Sequence, residues 1–357
     1  MAHYKKRCLT ILLSDKCNMK CTYCYCKNNK PAGKSMDMRF IKRAILDFYE
    51  QEGGVFVRFF GDGEPTLYKE QIVEITEFGY SVDKNAKFEL QTNGTFDQIF
   101  AEWVAKNIDI VWISYDGTTE INDHYRMDKF GNSVSSIVEG NIRYLVDRID
   151  TLGVRSTVGE YNVNKQREMI DKMVELGVKN IYSDMLFGVV GDGTYCEREI
   201  DPMEYAKSYY DAYCYAKQKG VNYGSFFTIN TDEEVQVSCR ACVPMPHLTI
   251  DGYVSCCDMG YEYNERMDCL FYGKYDAEQD KIIYDHQKIE YIRGRTVDNI
   301  TECSTCEVKQ YCGGGCIGEA LNEKGSIYAI KKKNCEAIKY IVKLIRKDGG
   351  IKMPLHP

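Results

Sequence analysis

The sequence predicts an α/β protein, a partial (β/α)6 barrel of the TIM type followed by a small cysteine-rich domain. Three observations predict it. Six short runs rich in β-branched and aromatic residues alternate with helix-period segments over residues 1–222. Polar motifs stand at the carboxyl ends of four successive runs. Cysteine density rises sharply from residue 239 onward.

The strand candidates, in order, are residues 8–14, 55–61, 87–93, 108–114, 154–160 and 180–187, each ending near Gly, Asn or Asp. Between them, stretches such as MRFIKRAILDFYEQ and SVSSIVEGNIRYLVDRI repeat apolar residues at helical spacing. Repeated β/α units imply a parallel sheet with right-handed crossovers. A last helix-like run, DPMEYAKSYYDAYCYAKQKG, precedes residues 223–238, which lack a clear period and read as a connector. The division expected is therefore 1–222, 223–238 and 239–357.

Composition narrows the function. A net charge of -7 argues against a nucleic-acid or anionic-membrane surface. The first apolar run is too short for a signal peptide, and no stretch approaches a membrane span of about 18 apolar residues. The chain therefore reads as cytoplasmic, where thiols stay reduced. Seventeen cysteines, many closely spaced, then read as metal ligands rather than disulfides.

Parallel α/β folds place chemistry at the carboxyl ends of their strands. The first strand runs into DKCNMKC, the second into GDGEPT, the third into QTNGT and the fourth into SYDGTTE. Cys17, Cys21 and Cys24 make C-x3-C-x2-C, with Cys26 one residue beyond. Thiolates at this spacing suit zinc or an iron–sulfur cluster. Either Cys26 completes the site, or three thiolates hold a cluster with one iron open to an outside molecule.

C-x3-C-x2-C after the first barrel strand, with Tyr23 before the last cysteine, resembles the radical S-adenosylmethionine (SAM) superfamily. The resemblance implies a [4Fe–4S] cluster on Cys17, Cys21 and Cys24 whose electron cleaves SAM to a 5′-deoxyadenosyl radical. That radical removes a hydrogen atom from the substrate, and Cys26 is left for packing. GDGEP resembles the family's SAM-ammonium motif, through Gly63 and Glu64, with Asp62 in place of a glycine. Asp is among the residues that best tolerate positive φ, should that position need it. Ser114 and Asp116 resemble the ribose-side and loop contacts, and Arg126 resembles the arginine that pairs with the methionyl carboxylate. A plain surface ion pair of Arg126 with Asp123 or Asp128 is the structural alternative.

The C-terminal cysteines make C-x2-C-x5-C-x3-C from Cys303, Cys306, Cys312 and Cys316, with Cys239, Cys242 and Cys257 upstream and Cys335 downstream. This array resembles the SPASM domain of radical enzymes that act on peptides and proteins. It implies two auxiliary [4Fe–4S] clusters with interleaved ligands: Cys239, Cys242, Cys257 and Cys316 for one, Cys303, Cys306, Cys312 and Cys335 for the other. That makes three clusters in all, and cluster binding would be part of folding. Two structural zinc sites are the alternative, and Cys256 competes with Cys257. The GGG at 313–315 would let the backbone approach a cluster sulfur. Cys8, Cys196, Cys214 and Cys269 read as small buried hydrophobes.

The function implied is oxidative modification of a peptide or protein side chain, by formylglycine-type oxidation or cross-linking, with the auxiliary clusters accepting an electron. The resemblance to anaerobic sulfatase-maturating enzymes makes Asp258 the proposed base, and Gln91 and Asn93 the peptide contacts. Beside an anionic cluster, Asp258 is expected to have a raised pKa. Implied partners are a peptide or protein substrate and an electron donor such as flavodoxin or ferredoxin. Radical dehydrogenation of a sugar or amino sugar, and a non-catalytic zinc scaffold, are the competing readings.

Overall fold

The computed structural model describes residues 7–13, 15–24, 35–186 and 199–351. Ser14, Cys26 and Cys196 lie outside the described residues. Seven parallel strands come first: β1 (Leu9–Leu12), β2 (Phe56–Phe60), β3 (Lys87–Thr92), β4 (Ile110–Ser114), β5 (Thr151–Val158), β6 (Asn180–Met185) and β7 (Asn222–Gly224). Each pairs in parallel with the next. The helices around them are α1 (Met38–Glu52), α2 (Lys69–Val82), α3 (Gln98–Asn107), α4 (Thr119–Tyr125), α5 (Ser135–Leu145), α6 (Gln166–Glu175) and α7 (Pro202–Gln218).

All six expected strands are present, trimmed by one or two residues at most ends. β5 instead starts three residues earlier than expected, at Thr151. The seventh, β7, falls on the expected boundary at 222/223 and runs into the segment read as a connector. Its three residues show no alternation. What holds it is tertiary: Tyr223 stacks on Tyr209 with ring centroids 5.1 Å apart and donates to Gln166 Oε1 at 2.6 Å.

The cysteine-rich part adds β8 (His247–Leu248), β9 (Tyr253–Ser255), β10 (Phe271–Asp276) and β11 (Lys281–Tyr284). β8 pairs in parallel with β1, Thr10 opposite His247, and β9–β11 follow in antiparallel order. The result is one sheet of eleven strands in the order β11-β10-β9-β8-β1-β2-β3-β4-β5-β6-β7. Helices α8 (His286–Arg293), α9 (Lys309–Cys312), α10 (Ile317–Lys324) and α11 (Cys335–Lys347) complete it. α11 buries Ala337, Ile338, Ile341, Val342 and Ile345, a one-sided apolar stripe that packs on α7.

Strand alternation divides the sheet's two faces. On β4, Val111 and Ile113 join the main core under the helices, whereas Ile110 and Trp112 face inward with Cys8, Phe56 and Tyr182. Those inward side chains form the barrel floor, and the polar ends of β1–β6 open above it.

Candidate functional site

Cys17, Cys21 and Cys24 lie on the loop after β1. The loop after β2 holds that segment in place. A Cβ on Gly63 would fall 2.3 Å from the Lys16 carbonyl oxygen, so only glycine fits there. The next residue, Glu64, donates its backbone N–H to that carbonyl at 2.8 Å. Asp62 replaces a glycine without left-handed backbone, since Asp280 alone among the described non-glycine residues has positive φ.

The Glu64 carboxylate is buried and accepts four hydrogen bonds: from Thr66 N at 3.0 Å, Thr66 Oγ1 at 2.6 Å, Thr92 Oγ1 at 2.6 Å and Asn93 N at 2.6 Å. Burial raises its pKa against the pull of these donors. Glu64 thus brackets the ends of β2 and β3. Asn93 is similarly committed: its Nδ2 donates to Asn18 Oδ1 at 2.8 Å and lies 4.0 Å from Cys17 Sγ, and its Oδ1 accepts from Thr95. Asn93, expected on the substrate, lines the same cavity as Gln91, and its side chain also supports the cysteine loop.

Tyr23 donates to Asp116 Oδ2 at 2.6 Å and accepts from Arg126 Nη1 at 2.6 Å. Asp116 also accepts from Thr157 N at 2.8 Å. Burial raises the Asp116 pKa, opposed mainly by Arg126. Arg126 is buried and is not a surface partner of Asp123 or Asp128, which accept from Ser135 and from Phe130 and Asn132 respectively.

These groups border a cavity of about 370 Å3. Cys17, Cys21 and Cys24 line one part, with Gly63, Glu64, Gln91, Ser114 and Arg126. Cys239, Cys257, Cys316 and Asp258 line another. Gln91 spans Glu89 Oε1 at 2.9 Å and Arg155 Nη1 at 3.0 Å. Arg155 lies 3.4 Å from Asp184 Oδ2.

Asp258 is half-buried and pairs with Arg58, while His247 Nε2 stands 3.0 Å away. Arg58 is almost fully buried and also donates to Thr10 Oγ1 at 3.1 Å. Burial raises the Asp258 pKa, but Arg58, His247 and Arg240 outweigh it and hold the carboxyl well below its ordinary value. The raised value expected from the sequence was tied to an anionic cluster beside Asp258; the cations that lower it come from strands and loops far off in the chain. Arg58, Arg155, Asp184, Arg240 and His247 were missed. The signal available was a lone charge inside an apolar strand, as Arg58 is within VFVRFF.

The C-terminal thiols fall into two groups. Cys239 feels the charge of Cys242, Cys316 and Cys257. Cys312 feels that of Cys303, Cys335 and Cys306. The second group lines a cavity of about 400 Å3, with Lys331 and Lys339 at its edge. Burial raises both Cys256 and Cys257 most; Cys257 then feels Cys316 and Cys242, Cys256 feels Cys257 and Cys242, and both line the first cavity. The GGG segment approaches both sulfur and backbone: the Gly314 N–H reaches the Cys312 thiol, a Cβ on Gly313 would lie 2.3 Å from Ser238 N, and Ser238 Oγ donates to the Gly315 carbonyl at 2.6 Å. Cys8 is buried as expected and accepts from Arg240 Nη1, while Cys214 and Cys269 are only half-buried.

Burial pushes the thiol pKa up to about 12 at Cys17, Cys312 and Cys316, and to about 11 at Cys21 and Cys303. A bare thiolate is disfavoured at such positions, and metal cations that displace the protons suit them. Among the described residues no three His, Cys, Asp or Glu side chains are gathered to hold a single ion. The thiols instead surround cavities able to take a multi-iron group.

Comparison with known proteins agrees with this architecture. Residues 11–199 match the Radical SAM superfamily. An uncharacterized protein of Methanocaldococcus jannaschii is 32% identical over 183 residues, 50% of this chain and 62% of that protein. The cysteine-type anaerobic sulfatase-maturating enzyme of Clostridium novyi is 33% identical over 144 residues, 37% of this chain and 38% of that enzyme. The chain thus spans less than two thirds of either relative. The solved structure of native anSMEcpe with bound AdoMet and Kp18Cys peptide superimposes with a TM-score of 0.74 at 20% identity, covering 95% of this chain and 97% of that one. With three thiols at the mouth of a matching barrel, and a family match over more than half of its length, the chain belongs to the radical SAM superfamily.

Proposed function

We propose that the protein oxidatively modifies a peptide or protein side chain, using three [4Fe–4S] clusters and SAM. When bound to Cys17, Cys21 and Cys24, a cluster supplies the electron that cleaves SAM to the 5′-deoxyadenosyl radical. Cys239, Cys242, Cys257 and Cys316 hold a second cluster, and Cys303, Cys306, Cys312 and Cys335 a third. The observation that carries the reading is the cavity itself, which has the first trio of thiols and three members of the second set on its lining. A substrate in that cavity touches both.

The residues then divide the work. Gly63 and Glu64 shape the ammonium side of the SAM site, and Arg126, oriented by Tyr23 and Asp116, binds the methionyl carboxylate. Ser114 faces the ribose. Gln91, held by Glu89 and Arg155, presents the polar wall to the substrate. Asp258 is held ionised by Arg58 and His247 and takes the substrate's proton. The relatives called sulfatase-maturating enzymes, and a structural neighbour with a bound peptide, support a peptide or protein substrate. The net charge of -7 and the lack of a helix fit to cross a membrane, among the described residues, favour no nucleic-acid or membrane partner. A flavodoxin or ferredoxin is the expected electron source in a cytoplasmic setting.

The test is anaerobic. Reduced, iron-loaded enzyme given SAM releases 5′-deoxyadenosine, and replacing Cys17, Cys21 and Cys24 with Ala abolishes release. Unchanged release from that variant would sink the reading. Mass spectrometry of candidate peptides co-expressed with the enzyme then identifies the modified residue.

A further inference from the structure

Arg295 follows α8 and is completely buried. Its Nη1 donates to Cys242 Sγ at 3.6 Å, its Nη2 to the Gly314 carbonyl at 2.8 Å and its Nε to the Ile327 carbonyl. Arg58, comparably buried, faces the carboxylate of Asp258. Among the described residues, Arg295 has no carboxylate at ion-pair distance. A buried guanidinium without a counter-anion is strongly unfavourable. The anions available are thiolates. Arg295 touches Cys242 Sγ in one group of cysteines and the carbonyl of Gly314, which stands between Cys312 of the other group and Cys316. One cation therefore stands between two sets of four thiols.

We propose that Arg295 is the shared counter-cation of the two C-terminal cluster sites and raises the reduction potential of both. This rests on reading the eight cysteines as ligands of two [4Fe–4S] clusters. A fully thiolate-ligated cluster is anionic, and one-electron reduction adds a further negative charge without making or breaking a bond. A fixed cation in a low-dielectric setting stabilises the reduced form more than the oxidised one. The clusters are thereby better able to take the electron that the substrate radical gives up in the proposed reaction. The hydrogen bonds from Arg295 to Cys242 and to Gly314 act in the same direction, on a ligand sulfur and on the loop that carries Cys316.

The experiment uses full-length protein with Cys17, Cys21 and Cys24 replaced by Ala, so that only the C-terminal sites contribute. Iron is counted, and midpoint potentials are read by electron paramagnetic resonance during dithionite titration. Three changes are compared: Arg295→Gln, Arg295→Lys and, as a control, the exposed Arg293→Gln. Arg295→Gln lowers both potentials, each reduction equilibrium shifting at least tenfold, or about 59 mV for a one-electron couple. Arg295→Lys restores most of the shift, and Arg293→Gln leaves both potentials alone. If Arg295→Gln loses iron while Arg295→Lys keeps it, the counter-cation role is supported as well. Full iron with unchanged potentials in Arg295→Gln overturns the proposal. Loss of iron in both Arg295 variants overturns it too, since charge would then not be what matters. Absence of iron before any Arg295 change refutes the two-cluster reading itself, a separate result.

Discussion

Replacing Glu64 with Gln separates two roles for a residue that its motif assigns to SAM. The carboxylate accepts four hydrogen bonds, three on Oε1 and one, from Asn93 N at 2.6 Å, on Oε2. An amide keeps the volume, and its carbonyl still satisfies the two threonines. Its NH2, however, must face the Asn93 N–H, donor against donor, at a buried position. The loss is one charge-assisted hydrogen bond and one stranded buried donor, about 1.5–3 kcal/mol of stability. The assay is urea unfolding of the SAM-free protein under anaerobic conditions, with Glu64→Gln against wild type. The midpoint falls at an unchanged denaturant slope, because the surface exposed on unfolding is the same. If the unfolding curve is unmoved and only SAM affinity drops, Glu64 is a ligand and not a bracket, and the argument from these four bonds is wrong.

Other outcomes follow from the same geometry. Gly63→Ala pushes a methyl group into the Lys16 backbone, 2.3 Å away at its carbonyl oxygen, and displaces the cysteine loop; iron at the first site and 5′-deoxyadenosine release fall together, with the C-terminal iron retained. Tyr23→Phe removes the hydroxyl between Asp116 and Arg126, which costs about 1–3 kcal/mol and weakens SAM binding roughly tenfold or more in an equilibrium titration. Iron removal unfolds the C-terminal part first: hydrogen exchange accelerates over residues 239–335 while strands β2–β5 keep their protection. Gly140→Ala, on an exposed turn of α5 with nothing within 4 Å of the added Cβ, raises stability by about 0.5–1 kcal/mol.

Legibility differed between element and site. Strands β1–β6 were readable because each is a short apolar run ending at a polar or glycine residue, a local signal. β7 was not, because Asn-Tyr-Gly has no pattern of its own and becomes a strand only through β6 and the Tyr209–Tyr223 stack. Cysteine spacing is likewise local, so the ligand candidates stood out. The partners of Asp258 did not: Arg58 lies 200 residues away in sequence, and nothing near either residue announces the pair. The cations that lower the Asp258 pKa escaped the sequence for the same reason. Asn93 and Glu64 were assigned by motif to ligands, yet their atoms are largely committed to holding the loops together.

Residue type and short-range spacing alone sufficed for the thiol candidates of the first loop, for each strand and helix run and for the family, since each of these signals is written in stretches of fewer than about twenty residues. Three-dimensional packing decided which charges meet, which glycine admits a neighbouring backbone, and that β8 continues the barrel sheet beside β1. Such pairings depend on chain closure over hundreds of residues and on burial, which amplifies every uncompensated charge; no local pattern carries either quantity.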